Sequence, residues 1–250
     1  LICEGYQILK DVLGLDQSEI HEIFKKWNTT ELDSFLVEIT RDILAYKDEN
    51  GQFLLPQIRD AAGQKGTGKW TAIAAMDYGV PVTLIGEAVF ARSLSALKDE
   101  RVKASNILPG PTAKYQGLKI DLLVNLRKAL YASKLISYAQ GFMLLREASK
   151  VHKWSLNYGS IAFMWRGGCI IRSSFLANIK SAFIDDPDLY NLLLDPFFTE
   201  QLTHTHEPLR QVVSQTALLG IPTPALSAAL TFYDGYRCEM LPANLLQAQR

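Results

Sequence analysis

The stretch Gly63–Thr71, GQKGTGKWT, gathers three glycines, two lysines and two threonines between two apolar, helix-like segments. Glycines let a backbone turn its N–H groups toward a ligand, and lysine adds compact positive charge. A loop of this kind running into a helix suits an anion, above all a phosphate. Lys65 supplies the charge. Thr67 offers a hydroxyl and is also placed to cap a helix beginning near Lys69. The spacing fits the nucleotide-binding loop G-x-x-x-x-G-K, but Trp70 stands where a Ser or Thr would hold magnesium, and the preceding segment reads as helix rather than strand. A solvated surface loop is the plain alternative.

The elements around the loop select one partner. Lys69 to Gly79 reads as a helix, and a second returns from the turn at Val80-Pro81. If the two are antiparallel neighbours, a residue eleven or twelve past the turn lies level with Lys69. That residue is Arg92, in the otherwise apolar or small-residue stretch AVFARSLSAL, and its fork matches a phosphate.

No other constellation points to chemistry. His204-x-His206-Glu207 has no third spaced ligand, so a surface turn is expected there and no metal. Cys3, Cys169 and Cys238 form neither a disulfide framework nor a CxxC pair, and read as reduced thiols of a cytoplasmic protein. No nucleophile, base and orienting acid stand together, so no catalytic residue is assigned to this chain. WRGGCIIR, Trp165 to Arg172, sets two arginines beside glycines that suit close packing, for a helix–helix contact or a subunit interface.

The chain has 26 Lys plus Arg against 26 Asp plus Glu, a net charge of zero. That balance gives no long-range attraction to nucleic acid or an anionic membrane. No apolar run approaches the ~18 residues of a membrane span. The sequence opens on an amphipathic segment without Met or N-cap and stops at QAQR directly after a helical stretch, so it reads as a piece of a longer protein.

The periodicity is helical throughout and the expected architecture is all-α. Helices are expected over Leu1–Leu13, from Asp16 (with Glu19 at capping-box spacing) to Trp27, from Thr30, and from Pro81 to about Ala104. Further ones are expected over Lys119–Val151, Asn157–Trp165, Gly168–Phe183, Phe197–Leu202, Leu209–Leu219 and from Pro224. An internal echo runs through them. EGYQILKD at Glu4 matches QGFMLLRE at Gln140, Trp27 matches Trp165, Phe35-Leu36 matches Phe175-Leu176, and Gly79-Val80-Pro81 matches Gly220-Ile221-Pro222. The offset drifts only from 136 to 141. Two duplicated helical repeats, about 1–106 and 119–250, are therefore expected within one domain, 1–250. By the same offset Lys65 falls on His206 and Arg92 on Tyr233, so only the first repeat carries the anion site.

The string IRDAAGQKGTGKW, Ile58 to Trp70, resembles the signature of the decarboxylating, NADP-dependent 6-phosphogluconate dehydrogenases. TELDSFLVEIT, GVPVTLIGEAVFARSLSALKDER, NYGSIAFMWRGGCIIRS and FYDGYRCEMLPANLLQAQR extend the likeness along the whole chain. The resemblance implies that family's duplicated all-helical carboxy-terminal domain, with the dinucleotide-binding Rossmann domain outside this sequence. It implies oxidation of 6-phosphogluconate with NADP, then loss of carbon dioxide to give ribulose 5-phosphate without a metal, a step of the pentose phosphate pathway. Carried over residue by residue, it places substrate-phosphate ligands on Lys65, Thr67 and Arg92, and on Arg250 an arginine that reaches a neighbouring subunit's site. A homodimer with composite sites follows. The catalytic lysine and glutamate of the family would lie just before Leu1, so this stretch alone is expected not to turn over. The competing reading is a related helical scaffold with no ligand.

Overall fold

A computed structural model describes residues 1–250. It contains twelve α-helices: α1 (Ile2–Gln7), α2 (Gln17–Trp27), α3 (Phe35–Ala45), α4 (Thr67–Asp77), α5 (Thr83–Ala96), α6 (Lys98–Ser105), α7 (Lys119–His152), α8 (Tyr158–Met164), α9 (Leu176–Asp185), α10 (Pro196–Leu218), α11 (Pro224–Tyr236) and α12 (Ala243–Ala248). There is no β-strand, only isolated bridges of Ser34 with Ser173 and Lys47 with Phe53. The all-α expectation holds.

The 34-residue α7 is the spine, about 50 Å long at 1.5 Å per residue. It buries Leu126, Ala129, Leu135, Ile136 and Ala139 completely, and α10 and α11 pack on it. One core joins Ile8, Leu9 and Phe24 from the first half of the chain to Phe175, Phe198 and Leu226 from the second. Neither half closes its apolar faces without the other.

Several helix ends follow the sequence. Asp16 and Glu19 form the capping box, with Glu19 N–H on Asp16 Oδ1 at 2.9 Å and Asp16 N–H on Glu19 Oε2 at 2.8 Å. Others do not. Thr30 closes α2 instead of opening α3, because its hydroxyl turns back to Trp27 O at 2.7 Å, and Ser34 is the N-cap. The helix expected from Pro81 to Ala104 breaks at Leu97 (ψ 42°) into α5 and α6. The segments around His204 and Pro208 are not a turn but the interior of α10. Burial of Leu202, Thr205 and Leu209 holds the helix through the proline.

The echo is visible as exchanged contacts. In α4–α5 the chain leaves the first helix through Gly79 (φ +66°), and Val80 N–H reaches back to Ala75 O at 2.8 Å. In α10–α11 it does so through Gly220 (φ +69°), with Ile221 N–H on Thr216 O at 2.9 Å. Both are Schellman closures, which a left-handed glycine allows without strain. The caps are reciprocal. Glu4, in the first half, accepts from Ala225 N–H (2.7 Å) and Leu226 N–H (2.9 Å) at the start of α11. Gln140, at the echo position of Glu4, accepts from Leu84 N–H (3.0 Å) at the start of α5 and donates to Thr83 Oγ1 (2.9 Å). Each half thus caps the second helix of the other's hairpin.

Candidate functional site

The loop enters α4 through Gly66, whose φ of +76° and ψ of −138° suit glycine alone. Gly66 is the N-cap and Thr67 the first helical residue, so the expected cap by the Thr67 side chain is not made. The reason is the backbone turn at Gly66, which already directs the chain into the helix. The first intrahelical bond of α4 runs from Trp70 N–H to Gly66 O at 3.2 Å. The N–H groups of Thr67, Gly68 and Lys69 therefore point out of the helix start, where the helix dipole favours negative charge. Gly68 keeps α4 close to α5, since a Cβ there would lie 3.1 Å from Val89 Cγ2.

Arg92 meets the loop. Its Nη2 donates to Gly63 O at 2.7 Å. Because Gly68 faces Val89, three residues before Arg92, the guanidinium lies about 4.5 Å further along α5 than α4's first turn, over the loop and not level with Lys69. Lys65 and Thr67 are exposed on the same loop–helix junction. The junction thus brings together Lys65, Thr67, Arg92 and three outward N–H groups, with Lys69 beside them. A loop–helix junction carrying donors of this kind is the type of place that suits a phosphate dianion.

Residues that the spacing argument missed hold this loop from behind. Ser95 Oγ accepts from Ala62 N–H (3.0 Å), and its one proton has Arg92 O at 2.7 Å and Ala62 O at 3.2 Å within reach. Asp60 pairs with Lys98 at 2.6 Å and with Arg101 at 3.4 Å, and Arg59 with Asp99 at 3.5 Å. The hydrogen bond from Lys98 holds the Asp60 carboxyl below its usual range. The available signal was the charge pattern, Arg59-Asp60 before the loop against the run Lys98-Asp99-Glu100-Arg101 beyond α5.

The equivalent place in the second half is filled from within. His206, the counterpart of Lys65, stacks on Tyr233, the counterpart of Arg92, with centroids 5.9 Å apart. Arg210 and Asp234 form a two-pronged pair at 2.8 and 2.7 Å. At the same offset they replace Lys69 and Ser93, so an internal carboxylate sits where the first half offers only cations.

Arg250 is not brought to the loop by its own chain. It follows the exposed helix α12, and its N–H bonds only Gln247 O. The Trp165–Arg172 segment ends in a contact between halves, where Arg172 pairs with Glu38 and, at 4.0 Å, Asp33, while Ile171 O accepts from Tyr138 Oη of α7 in its own half. Its glycines are not close-packed, as nothing lies within 4 Å of a Cβ on Gly167 or Gly168. The reason is that Arg166 to Ser174 forms turns, and α9 starts only at Leu176. No cluster of three His, Cys, Asp or Glu side chains fit for a metal is present. No helix is long and apolar enough to cross a membrane.

A cleft of about 700 Å³ lies elsewhere, between the start of α5 and the length of α11, lined by Thr83, Glu87, Thr231, Phe232 and Tyr236 among others. Its one charged side chain is a carboxylate, which repels a phosphate. Donor chemistry therefore favours the loop.

Known proteins bear on this site. Residues 1–250 match the family model described as 6-phosphogluconate dehydrogenase, C-terminal domain. The chain is 62% identical over 251 residues to the decarboxylating 6-phosphogluconate dehydrogenase of Mus musculus and 65% identical over 252 to that of Ceratitis capitata. Each alignment takes in 100% of this chain and 52% of the relative. The chain spans about half the length of the curated relatives it matches. Among solved structures, Plasmodium falciparum 6-phosphogluconate dehydrogenase, determined in its apo form, with its cofactor NADP+ and with its substrate 6-phosphogluconate, superposes with a TM-score of 0.95 at 40% identity. That match covers 100% of this chain and 54% of the other.

Proposed function

The chain belongs to the 6-phosphogluconate dehydrogenase family, and we propose that it serves as the helical half of a decarboxylating enzyme of that family, gripping the substrate and pairing two subunits. The reaction is oxidation of 6-phosphogluconate by NADP and loss of carbon dioxide to give ribulose 5-phosphate, in the cytoplasm. Domain limits of 1–250, with repeats about 1–106 and 119–250, belong to the same reading.

The observation that carries the proposal is the Arg92–Gly63 bond, which sets a guanidinium against the loop bearing Lys65 and beside the free N–H groups of α4. Lys65, Thr67 and Arg92 neutralise and orient the terminal phosphate. Arg250, at the end of an exposed helix, completes the site of a second copy. NADP supplies the hydride acceptor, but the residues here do not fit it. This chain has no strand and no G-x-G-x-x-G loop, so no residue is assigned to the cofactor and the other half of the enzyme holds it.

Surface supports the pairing. The chain exposes 14950 Å², against about 11,100 Å² for a compact monomer of 28.0 kDa. Helices α4 and α5 are rich in apolar and small residues, yet bury only Ala75 and Leu84. Phe90, Leu94 and Leu97, at i, i+4 and i+7, are 58%, 58% and 48% exposed. In the proposed enzyme the other half and a second copy seated on that stripe would share the covering of this surface.

Titration calorimetry on the two-domain enzyme tests the assignment. Lys65→Ala and Arg92→Ala are each expected to weaken 6-phosphogluconate roughly 10- to 100-fold, the equivalent of one or two charge-assisted hydrogen bonds. Unchanged affinity in both would leave a helical scaffold as the better reading, and tight magnesium-dependent ATP binding would favour a nucleotide site.

A further inference from the structure

The structure assigns a positioning role to Arg101, a residue outside the phosphate cradle that fixes where the cradle stands. This inference rests on the phosphate reading above.

Arg101 Nη2 donates its two hydrogens to Asp60 O and Ser95 O, each at 2.9 Å, with Asp60 Oδ2 a longer, shared contact at 3.4 Å. In an unbroken helix Ser95 O would take the N–H of Asp99. The break at Leu97 withdraws that donor and brings Arg101 round to replace it. One nitrogen therefore ties the end of α5, one turn beyond Arg92, to the peptide at Asp60, three residues before Gly63. Ser95 repeats the tie one step nearer the cradle, its Oγ accepting from Ala62 N–H while its proton turns back to Arg92 O. Arg92 then closes the series on Gly63 O. The three contacts advance in step, Asp60, Ala62, Gly63 against Arg101, Ser95, Arg92, like a clasp that sets the height of Lys65 above the helix start.

Arg101 does not serve α6 alone. Its side chain is two-thirds buried, and its Nε is buried with no partner. An apolar residue would pack there without an orphaned donor, so the arginine is explained by the oxygens it gathers. A loop carrying phosphate ligands is sensitive to such support, because a shift of ~1 Å in a positioned group is enough to lose most of its benefit.

Steady-state kinetics of the two-domain enzyme test this. Arg101→Met is expected to raise KM for 6-phosphogluconate about tenfold with a much smaller change in kcat, and to lower the preference for 6-phosphogluconate over phosphate-free gluconate by the same factor. Ser95→Ala, which removes only the Ala62 tie, is expected to shift both quantities in the same direction by a smaller factor, and serves if Arg101→Met folds poorly. A loss of thermal stability with the substrate preference unchanged in both variants overturns the inference and leaves Arg101 a purely structural residue. Arg92→Ala in the same assay separates the two readings. If it raises KM while Arg101→Met and Ser95→Ala do not, only the clasp fails; if it too leaves KM unchanged, the phosphate site itself fails.

Discussion

Single residues at this site divide into those that offer charge outward and those whose charge is consumed inside the fold. Arg92 spends one donor on Gly63 O and leaves the rest of its fork exposed, for the phosphate in the proposed reading. Arg210 in the second half has both prongs on Asp234, which holds that carboxyl below its usual range. A buried lysine gives the most readable titration. Lys134 Nζ is buried without a hydrogen-bond partner, 5.3 Å from the Phe175 ring centroid. Burial pushes its pKa down to about 8, with Asp33 opposing and Arg172 assisting. Below pH 8 both the folded and unfolded chains carry the proton, and folding bears the full penalty. Between pH 8 and 10.5 the unfolded chain binds more protons, so stability rises with pH, by no more than about 3 kcal/mol. Tyr131 and Tyr138 act oppositely, since burial raises both while unfolded tyrosine ionises near pH 10. Urea unfolding should therefore show stability climbing from pH 8 to about 10 and then declining. Lys134→Met should remove the climb, and a flat wild-type profile over that range would contradict the assignment.

At the scale of elements, the reciprocal caps hold the two hairpins in place. Glu4 satisfies two N–H groups of α11 with a carboxylate at the positive end of the helix. Glu4→Ala leaves both donors buried and unpaired, and should cost about 2–4 kcal/mol in denaturant unfolding. Gln140→Ala leaves Leu84 N–H without its acceptor and should cost about 1–3 kcal/mol by the same measure. Much of this architecture was legible in the sequence. The helical class, the Asp16–Glu19 box, the paired Gly79 and Gly220 turns and the nearness of Arg92 to the loop follow from local patterns of a few residues. What was not legible depends on contacts across more than 30 positions. Nothing near Thr30 says that its hydroxyl will turn back to Trp27 and leave capping to Ser34, which is paired with Ser173. Nothing near Leu97 says that the helix will break there, because the replacement donor, Arg101, is fixed by Asp60 across the loop. Pro208 looks like a helix stop until the burial of its neighbours against α7 is known.

The whole molecule is one core that leaves much apolar surface uncovered. Its halves bury each other around α7, but the stripe from Phe90 to Leu97, Trp70 (65% exposed) and Met76 (72% exposed) finds no cover within the chain. If two copies pair through this stripe as proposed, Leu94→Asp should shift the two-domain enzyme from dimer to monomer by light scattering at micromolar concentration; a mass unchanged by the substitution would contradict pairing through this stripe. Subunit mixing gives the most direct test of a phosphate grip built from Lys65, Thr67 and Arg92 of one chain with Arg250 of another. Each of Arg92→Ala and Arg250→Ala alone should be nearly inactive at low 6-phosphogluconate. When the two variants are reassorted into mixed dimers, half of the dimers are hybrid and one of the two sites in each hybrid is intact. About one quarter of wild-type activity is then expected to return. A mixture that stays at the level of its parents would contradict the shared site.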